Sequence, residues 1–351
     1  MLSPDMSRRD VYDWLVETDP GKLEQLYQYA NDIRAQYVGD EIHLRGLIEI
    51  SSYCSSHCTY CGLHAGNRKA HRYRMNKEQI MEAVLLSSQM NYGSVVLQSG
   101  EDSQIKGEWL ADVVRTIKRE TPCAVTLSIG ERNPRDWKLW REAGADRYLL
   151  RFETSHPELF GAIHPQKKGD LSMRTSKLPL LKKLGYQVGS GVMIGFPGQT
   201  FDILADDLIL FRKYNLGMIG VGPFLVHPDT KLGSGWTPRR AHPDDQVPSN
   251  VEMTCKVIAL SRILRPDSHI PGTTALSALG GMEARIKGLN CGANVIMPNV
   301  TPKFFRESYT IYPGKTVLIE SVEACQNELL DMMNQINRRP GTGPGHCHGV
   351  V

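Results

Sequence analysis

From Ile42 to about residue 300, short runs of β-branched and aromatic residues alternate with amphipathic stretches, which restricts the chain to parallel strands joined by crossover helices. The runs are HLRGLIEIS (43–51), SVVLQSG (94–100), AVTLSIG (124–130), DRYLLRFET (146–154), YQVGSGVMIG (186–195), MIGVGPFLV (218–226), IPGTTAL (270–276) and ANVIMPN (293–299). Stretches such as GEWLADVVRTIKRE and VEMTCKVIALSRIL separate them. Eight strands predict an α/β fold, a complete (β/α)8 TIM-type barrel, with a six-strand partial barrel as the alternative. Residues 1–41 read as an N-terminal helical extension, its first helix closed by Pro20 and its second ending before Gly39. Residues 42–300 read as the barrel. Residues 301–351 read as a C-terminal segment covering it and ending in a loose tail, TGPGHCHGVV.

Apolar residues make up 41% of the 351 and charged residues 23%, the balance of a folded protein. The 41 Lys and Arg face 38 Asp and Glu with no basic block able to follow a phosphate backbone, so nucleic acid is not an expected partner. The opening MLSPDMSRRDVYDWL carries charges where a signal peptide needs an apolar core. No stretch approaches the roughly 18 uncharged residues of a membrane span, so a cytoplasmic location without membrane attachment is expected.

Residues two apart on a strand share a face, and one face of a barrel strand looks into the lumen. In AVTLSIG, Val125, Leu127 and Ile129 form an apolar face for the helices, leaving Thr126 and Ser128 to point inward. The same parity groups Arg45 with Glu49 and Arg151 with Glu153, and Gln98 joins them from the second strand. A filled barrel interior is branched and apolar, so polar positions on several strands predict a lumen that holds a ligand; interior salt bridging is the alternative. Cys123 has the parity of Val125 and is expected in the helix-facing core.

Three of the eight cysteines fall in YCSSHCTYCG, at the spacing C-x3-C-x2-C: Cys54, Cys58 and Cys61. Structural zinc would need a fourth ligand, His57 or His64, and no second C-x2-C exists; haem attachment would need a histidine where Gly62 stands. Iron and sulfide remain, and three thiolates can hold three irons of a 4Fe-4S cluster while leaving the fourth iron open.

These cysteines, with Tyr60 before the last, resemble the signature of the radical S-adenosylmethionine (SAM) enzymes. The resemblance implies that SAM binds the open iron and is cleaved by one electron to methionine and a 5′-deoxyadenosyl radical. It implies a cofactor site made by Tyr60, by the segment Ser99, Gly100, Glu101 and Asp102, by Glu153 at the ribose and by Arg174 at the carboxylate. GVMIGFPGQT resembles the family's adenine-side segment.

Further stretches, YVGDEIHLRGLIEIS, RYRM, VVLQSGED, VTLSIGE, GADRYLLRFET, PGQT, GPFLVHPDT, CGANVIMPN and YPGK, resemble in this order the HydE family of FeFe-hydrogenase maturases. That resemblance implies an internal cavity and a small organometallic substrate, an iron complex bearing carbon monoxide, cyanide and cysteine, Fe(CO)2(CN)(Cys). HydG would supply it, HydF would be the downstream acceptor, and a low-potential donor would supply electrons. The radical would attack the substrate's cysteine sulfur, on the way to the two-iron subcluster of the H-cluster. Arg45, Gln98, Thr126, Ser128 and Arg151 would serve the cyanide and carboxylate groups, beneath Tyr309 and Tyr312. Two departures from the family stand out: Phe152 replaces a common histidine, its parity turning it away from the lumen, and the C-terminal stretch has only Cys325 where some members hold a second cluster. The alternatives are a methylornithine synthase-like or biotin synthase-like enzyme, or, from another class, an iron-sulfur carrier or scaffold.

Overall fold

The computed structural model describes residues 2–167, 171–314 and 322–347. Two helices open the chain, α1 (Arg8–Val16) and α2 (Pro20–Val38). Ser7 and Asp10 form a capping box on α1, while Asp19 caps α2. Pro20 takes the first turn of α2, where its missing N–H costs nothing, so it opens the second helix as much as it ends the first.

The alternating part follows as β1 (Glu41–Ser51), α3 (Lys77–Gln89), β2 (Ser94–Ser99), α4 (Gly107–Glu120), β3 (Ala124–Ser128), α5 (Pro134–Glu142) and β4 (Arg147–Leu149). Next come α6 (Pro157–Ile163), α7 (Leu171–Lys183), β5 (Gln187–Ser190), β6 (Met193–Ile194), α8 (Phe201–Lys213), β7 (Met218–Ile219), β8 (Gly222–Pro223), α9 (Val251–Leu264), α10 (Thr274–Asn290) and β9 (Val295–Ile296). The chain ends with α11 (Lys303–Arg306), α12 (Val322–Gln335) and β10 (Arg339–Pro340). Helix α1 lies against α8 and α2 against α9, so the N-terminal extension packs on the outer layer.

All the strand pairings are parallel, and the curled sheet runs β9, β1, β2, β3, β4, β5, β7, with β10 also on β1. Between β7 and β9 no full strand stands, and residues 269–272 span the gap through the bridges Met218 to His269 and Pro271 to Val295 and a few main-chain hydrogen bonds, among them His269 N–H to the Gly217 carbonyl and Gly272 N–H to the Val295 carbonyl. The α/β barrel class holds, but closure by eight full strands does not. The seventh expected strand, 270–276, gives way to α10 from Thr274 onward. The expected strands 186–195 and 218–226 each break in two, around Gly191 and Gly220, where the two segments lie close together. A Cβ on Gly191 would stand 1.9 Å from the Gly220 carbonyl oxygen, an approach that only glycine allows.

A side chain adds to the main-chain hydrogen bonds that hold this seam. Arg262 of α9, fully buried, donates to the carbonyls of Gly292, Pro266 and Ser268 and to Asn294 Oδ1 at 2.7–2.9 Å. Asn294 Oδ1 in turn accepts from the Ile270 N–H.

The outward faces of the strands form the main core. Val95, Leu97, Val125, Leu127, Tyr148 and Phe152 are buried, and Cys123 joins them as its parity predicts. Trp137 and Trp140 of α5 flank Tyr148, and Phe152 packs on Phe211 away from the lumen. The tail departs from its reading as a loose coil. Residues 341–347 are seated on the barrel, while His348 and residues 349–351, like Lys315 of YPGK, lie outside the described residues. None of the described helices is long and apolar enough to cross a membrane.

Arg262→Leu should leave the carbonyls of Gly292, Pro266 and Ser268 without this donor and lower stability by about 3 kcal/mol, read as an earlier urea midpoint.

Candidate active site at the C-terminal mouth of the barrel

The loop after β1 carries the three cysteines, and its backbone is organised from one side chain. Arg72 donates to the carbonyls of Ser52, Leu63, His64 and Asn67, at 2.5 to 3.3 Å. One guanidinium thus ties both ends of the loop together, a role suited to its fixed fork of donors. The loop is also pinned to β2: Ser55 N–H and Oγ both donate to the Glu101 carbonyl, and Ser56 Oγ donates to Glu101 Oε2 at 2.7 Å. Two backbone N–H groups, of Ser56 and Glu101, point at Cys54 Sγ, each at 3.4 Å. Gly100 permits this contact, since a Cβ there would lie 2.4 Å from the Tyr53 carbonyl oxygen and 2.6 Å from Cys54 Cβ.

All three thiols line one cavity of about 360 Å³ that runs down the lumen. Burial pushes the thiols of Cys58 and Cys61 up, that of Cys61 to about 12, and the neighbouring Cys54 adds to both. Among the described residues no three His, Cys, Asp or Glu side chains converge on a single metal ion. A cube asks for a different arrangement, one iron for each thiolate.

Below the thiols lies a belt of polar side chains. Tyr60 Oη sits 3.1 Å from His164 Nε2. Glu153 follows β4 in a left-handed conformation, φ 66°, which costs a non-glycine residue on the order of 1 kcal/mol or more and is found where a site over-determines the backbone. Here the Glu153 N–H donates to the Gly191 carbonyl, Met193 N–H donates to the Glu153 carbonyl, and Arg151 Nη2 lies 3.0 Å from the carboxylate. Burial raises the Glu153 pKa, opposed by Arg151 and Arg174. Arg174 donates from Nε to the Arg151 carbonyl and from Nη1 to Glu131, which Lys177 also contacts. The segment beyond Glu153 is held from behind, where the Ser155 N–H donates to Asp207 Oδ1 at 2.5 Å and Gln199 Nε2 reaches the other oxygen. Burial lifts Asp207 to about 7 against the pull of those hydrogen bonds.

Deeper in the lumen stand Arg45, Gln98, Thr126, Ser128 and Arg151, with Tyr309 and Tyr312 also on the cavity wall. Arg45 Nε, Thr126 Oγ1 and His269 Nδ1 are buried and have no hydrogen-bond partner among the described residues. Three such atoms around one cavity mark a place for a polar ligand. Ser99, Gly100, Glu101, Glu153, Arg174 and Tyr60 line the cavity as well.

Asp102 is the exception among the expected site residues. It is turned away from the cavity, buried against Arg74 at 2.6 Å and Ser51 Oγ at 2.7 Å, and it accepts the Gln104 N–H. A carboxylate beside a strand end pairs with the nearest cation, so Asp102 braces the turn that Glu101 presents. Arg72, His269, Met218 and Thr273 were not singled out from the sequence. Met218 begins an expected strand and could have been found by parity, but His269 lies one residue before its run, and nothing in RYRM distinguishes Arg72 from a solvated charge.

The profile of the Radical SAM superfamily matches residues 48–210. The [FeFe] hydrogenase maturase subunit HydE of Thermotoga maritima is 42% identical over 339 residues, 96% of this chain and 92% of that one. The chain belongs to the radical SAM superfamily, within its HydE family. A 3-methylornithine synthase of Methanosarcina acetivorans is 27% identical over 78% of this chain and 74% of its own. The crystal structure of methylornithine synthase (PylB) shares the fold, with TM-score 0.81 at 23% identity, covering 95% of this chain and 94% of that one.

Membership of the radical SAM superfamily implies a 4Fe-4S cluster and SAM, and the residues present suit both. Three thiols share one cavity end with N–H donors aimed at a sulfur, and a belt of carboxylate, guanidinium and phenol lies just below.

Gly100→Val should displace Cys54 and cut iron bound per chain at least twofold with the far-ultraviolet dichroism unchanged. Asp207 tests the pH linkage. With its folded pKa raised from 3.8 to about 7, its contribution to stability is complete below about pH 4 and is lost as pH rises through 7. Unfolding midpoints between pH 4 and 7 should therefore fall less steeply with rising pH in Asp207→Asn than in the parent chain.

Proposed function

We propose that this radical SAM enzyme acts in the assembly of the FeFe-hydrogenase H-cluster, on an iron complex of the Fe(CO)2(CN)(Cys) type supplied by HydG, with HydF as the downstream acceptor. The observation that carries the reading is the continuous cavity, with three thiols at one end and buried hydrogen-bond donors without partners at the other. The 42% identity to a HydE across nearly the whole chain supports it.

When bound, the 4Fe-4S cluster and SAM together supply a 5′-deoxyadenosyl radical. The protein's own part is positional. Cys54, Cys58 and Cys61 would hold the cluster, with Arg72 fixing the loop before metal arrives. Tyr60, Ser99, Gly100 and Glu101 would pack around the methionine end of SAM, with Glu153 on the ribose and Arg174 on the carboxylate, where a planar fork of donors is matched. Arg45 and Arg151, with Gln98, Thr126 and Ser128, would donate to the cyanide and carboxylate of the substrate, and the apolar Leu47, Val96 and Met218 between them would keep water from it. Tyr309 and Tyr312 would cover the chamber. Residues 42–300 would act as the catalytic unit, with 1–41 bracing its outer layer.

Reconstituted without oxygen and reduced with dithionite, the protein should convert SAM to 5′-deoxyadenosine, and Cys58→Ala should abolish this while leaving a folded barrel. Added HydG product should yield an EPR-active iron species carrying the adenosyl carbon. No cleavage in the parent chain would reduce the protein to a carrier, and cleavage without that species would move it to another radical reaction.

A further inference from the structure

The last described residues cross the end of the barrel opposite the cysteines. They start beside β1, where β10 pairs and the Gly341 N–H donates to the Ile42 carbonyl at 2.8 Å. They finish on the far side, where the Cys347 N–H donates to Gln187 Oε1 at 3.2 Å and its thiol to the Asp267 carbonyl at 3.0 Å. Midway, Arg147 Nη2 donates to the carbonyls of Pro344 and Gly345 at 2.5 and 2.7 Å. The crossing is tight: a Cβ on Gly93 would stand 1.5 Å from the Gly343 carbonyl oxygen, and one on Gly345 would stand 2.7 Å from His43 Nδ1. Coil lying loosely on a surface does not need such fit.

This strap also reaches a cavity residue. The Gly345 carbonyl lies 3.4 Å from Arg45 Nη2, on a side chain that is 4% exposed, lines the cavity and has an unpartnered Nε. Arg147 has the parity of Arg151 and Glu153 on the fourth strand, so it occupies the lowest inward position beneath the chamber. Neither Arg45 nor Arg147 makes an ion pair among the described residues, and the strap's carbonyls turn the negative ends of their dipoles toward both.

We propose that residues 341–347 form the floor of the reaction chamber, and that Arg147 is a positioning residue that latches this strap so that its Gly345 carbonyl aims Arg45 at the anionic end of the substrate. The chamber then opens only at the cysteine end, and a reactive species formed there has no second path to water. The identity of the substrate rests on the function proposed above, whereas the seating of the strap does not.

The test compares the cluster-loaded parent chain with a chain ending at Pro340, with Gly93→Val, with the two changes combined, and with Arg147→Met and Arg147→Lys. Gly93→Val evicts the strap by steric contact while leaving the tail's sequence intact, so it decides the matter if the shortened chain does not fold. In the parent chain, Cys347 should be alkylated at least tenfold more slowly than in Gly93→Val, and amides of β1 to β3 should exchange more slowly than in either eviction variant. The KM for the HydG product should rise tenfold or more on eviction, with SAM cleavage in the absence of substrate unchanged within twofold. Gly93→Val should add nothing to the shortened chain, and Arg147→Lys should fall between the parent and Arg147→Met. Equal KM and equal exchange in parent and evicted chains would overturn the proposal, as would parent Cys347 reacting as fast as in urea. If the parent chain turns over no HydG product, the proposed function fails, and exchange and alkylation still decide the floor.

Discussion

A cluster held by three thiols needs a loop that presents all of them on one side, and a loop of this length has no regular backbone hydrogen bonding to keep it so. The Arg72 guanidinium replaces that regularity by gathering four carbonyls from the two sides of the loop. Even half-burying a guanidinium is costly unless its donors are used, and here the use and the need coincide: the carbonyls are acceptors left unmatched by any strand. Gly100 completes the arrangement by letting β2 come against Cys54. The placing of the three thiols at the cavity mouth follows from this fastening.

The belt is built by a second device, a strained residue held from two directions. Glu153 adopts a left-handed backbone that its neighbours enforce, Gly191, Val192 and Met193 pairing on one side and the buried Asp207 anchoring Ser155 on the other. Strain is retained because the surrounding hydrogen bonds outnumber the single torsion they oppose.

The barrel itself is uneven. Its first five strands are joined by parallel ladders, and these carry Arg45, Gln98, Thr126 and Ser128 at inward positions, with Arg151 just past the end of β4. Beyond β7 the ladder gives way to bridges and a few main-chain hydrogen bonds, and Arg262 reinforces them by side chain. This half contributes His269, Thr273 and the ends of short strands, places where irregular backbone meets the cavity. A parallel sheet in which ligand groups sit where regularity fails agrees with the general tendency of functional residues to lie on irregular segments supported by a rigid scaffold.

The amino-acid order alone determined the α/β class, the alternation of the first five strands with their helices, the inward face holding Thr126 and Ser128, and the cysteine triplet. These are local properties: period-two alternation, helix caps and the spacing of three residues on one loop all act over a few positions. Tertiary structure decided the rest. Asp102 turned to Arg74, Arg72 became the keystone of the loop, the seventh strand dissolved into the start of α10, and a glycine-rich tail became seated instead of free. Each of these depends on which group from a distant part of the chain arrives beside a charge, a carbonyl or a missing Cβ. A charged side chain such as Arg72 or Arg147 reads the same in sequence whether it faces water or four carbonyls, because its energy is set by desolvation and partners that only the folded chain supplies.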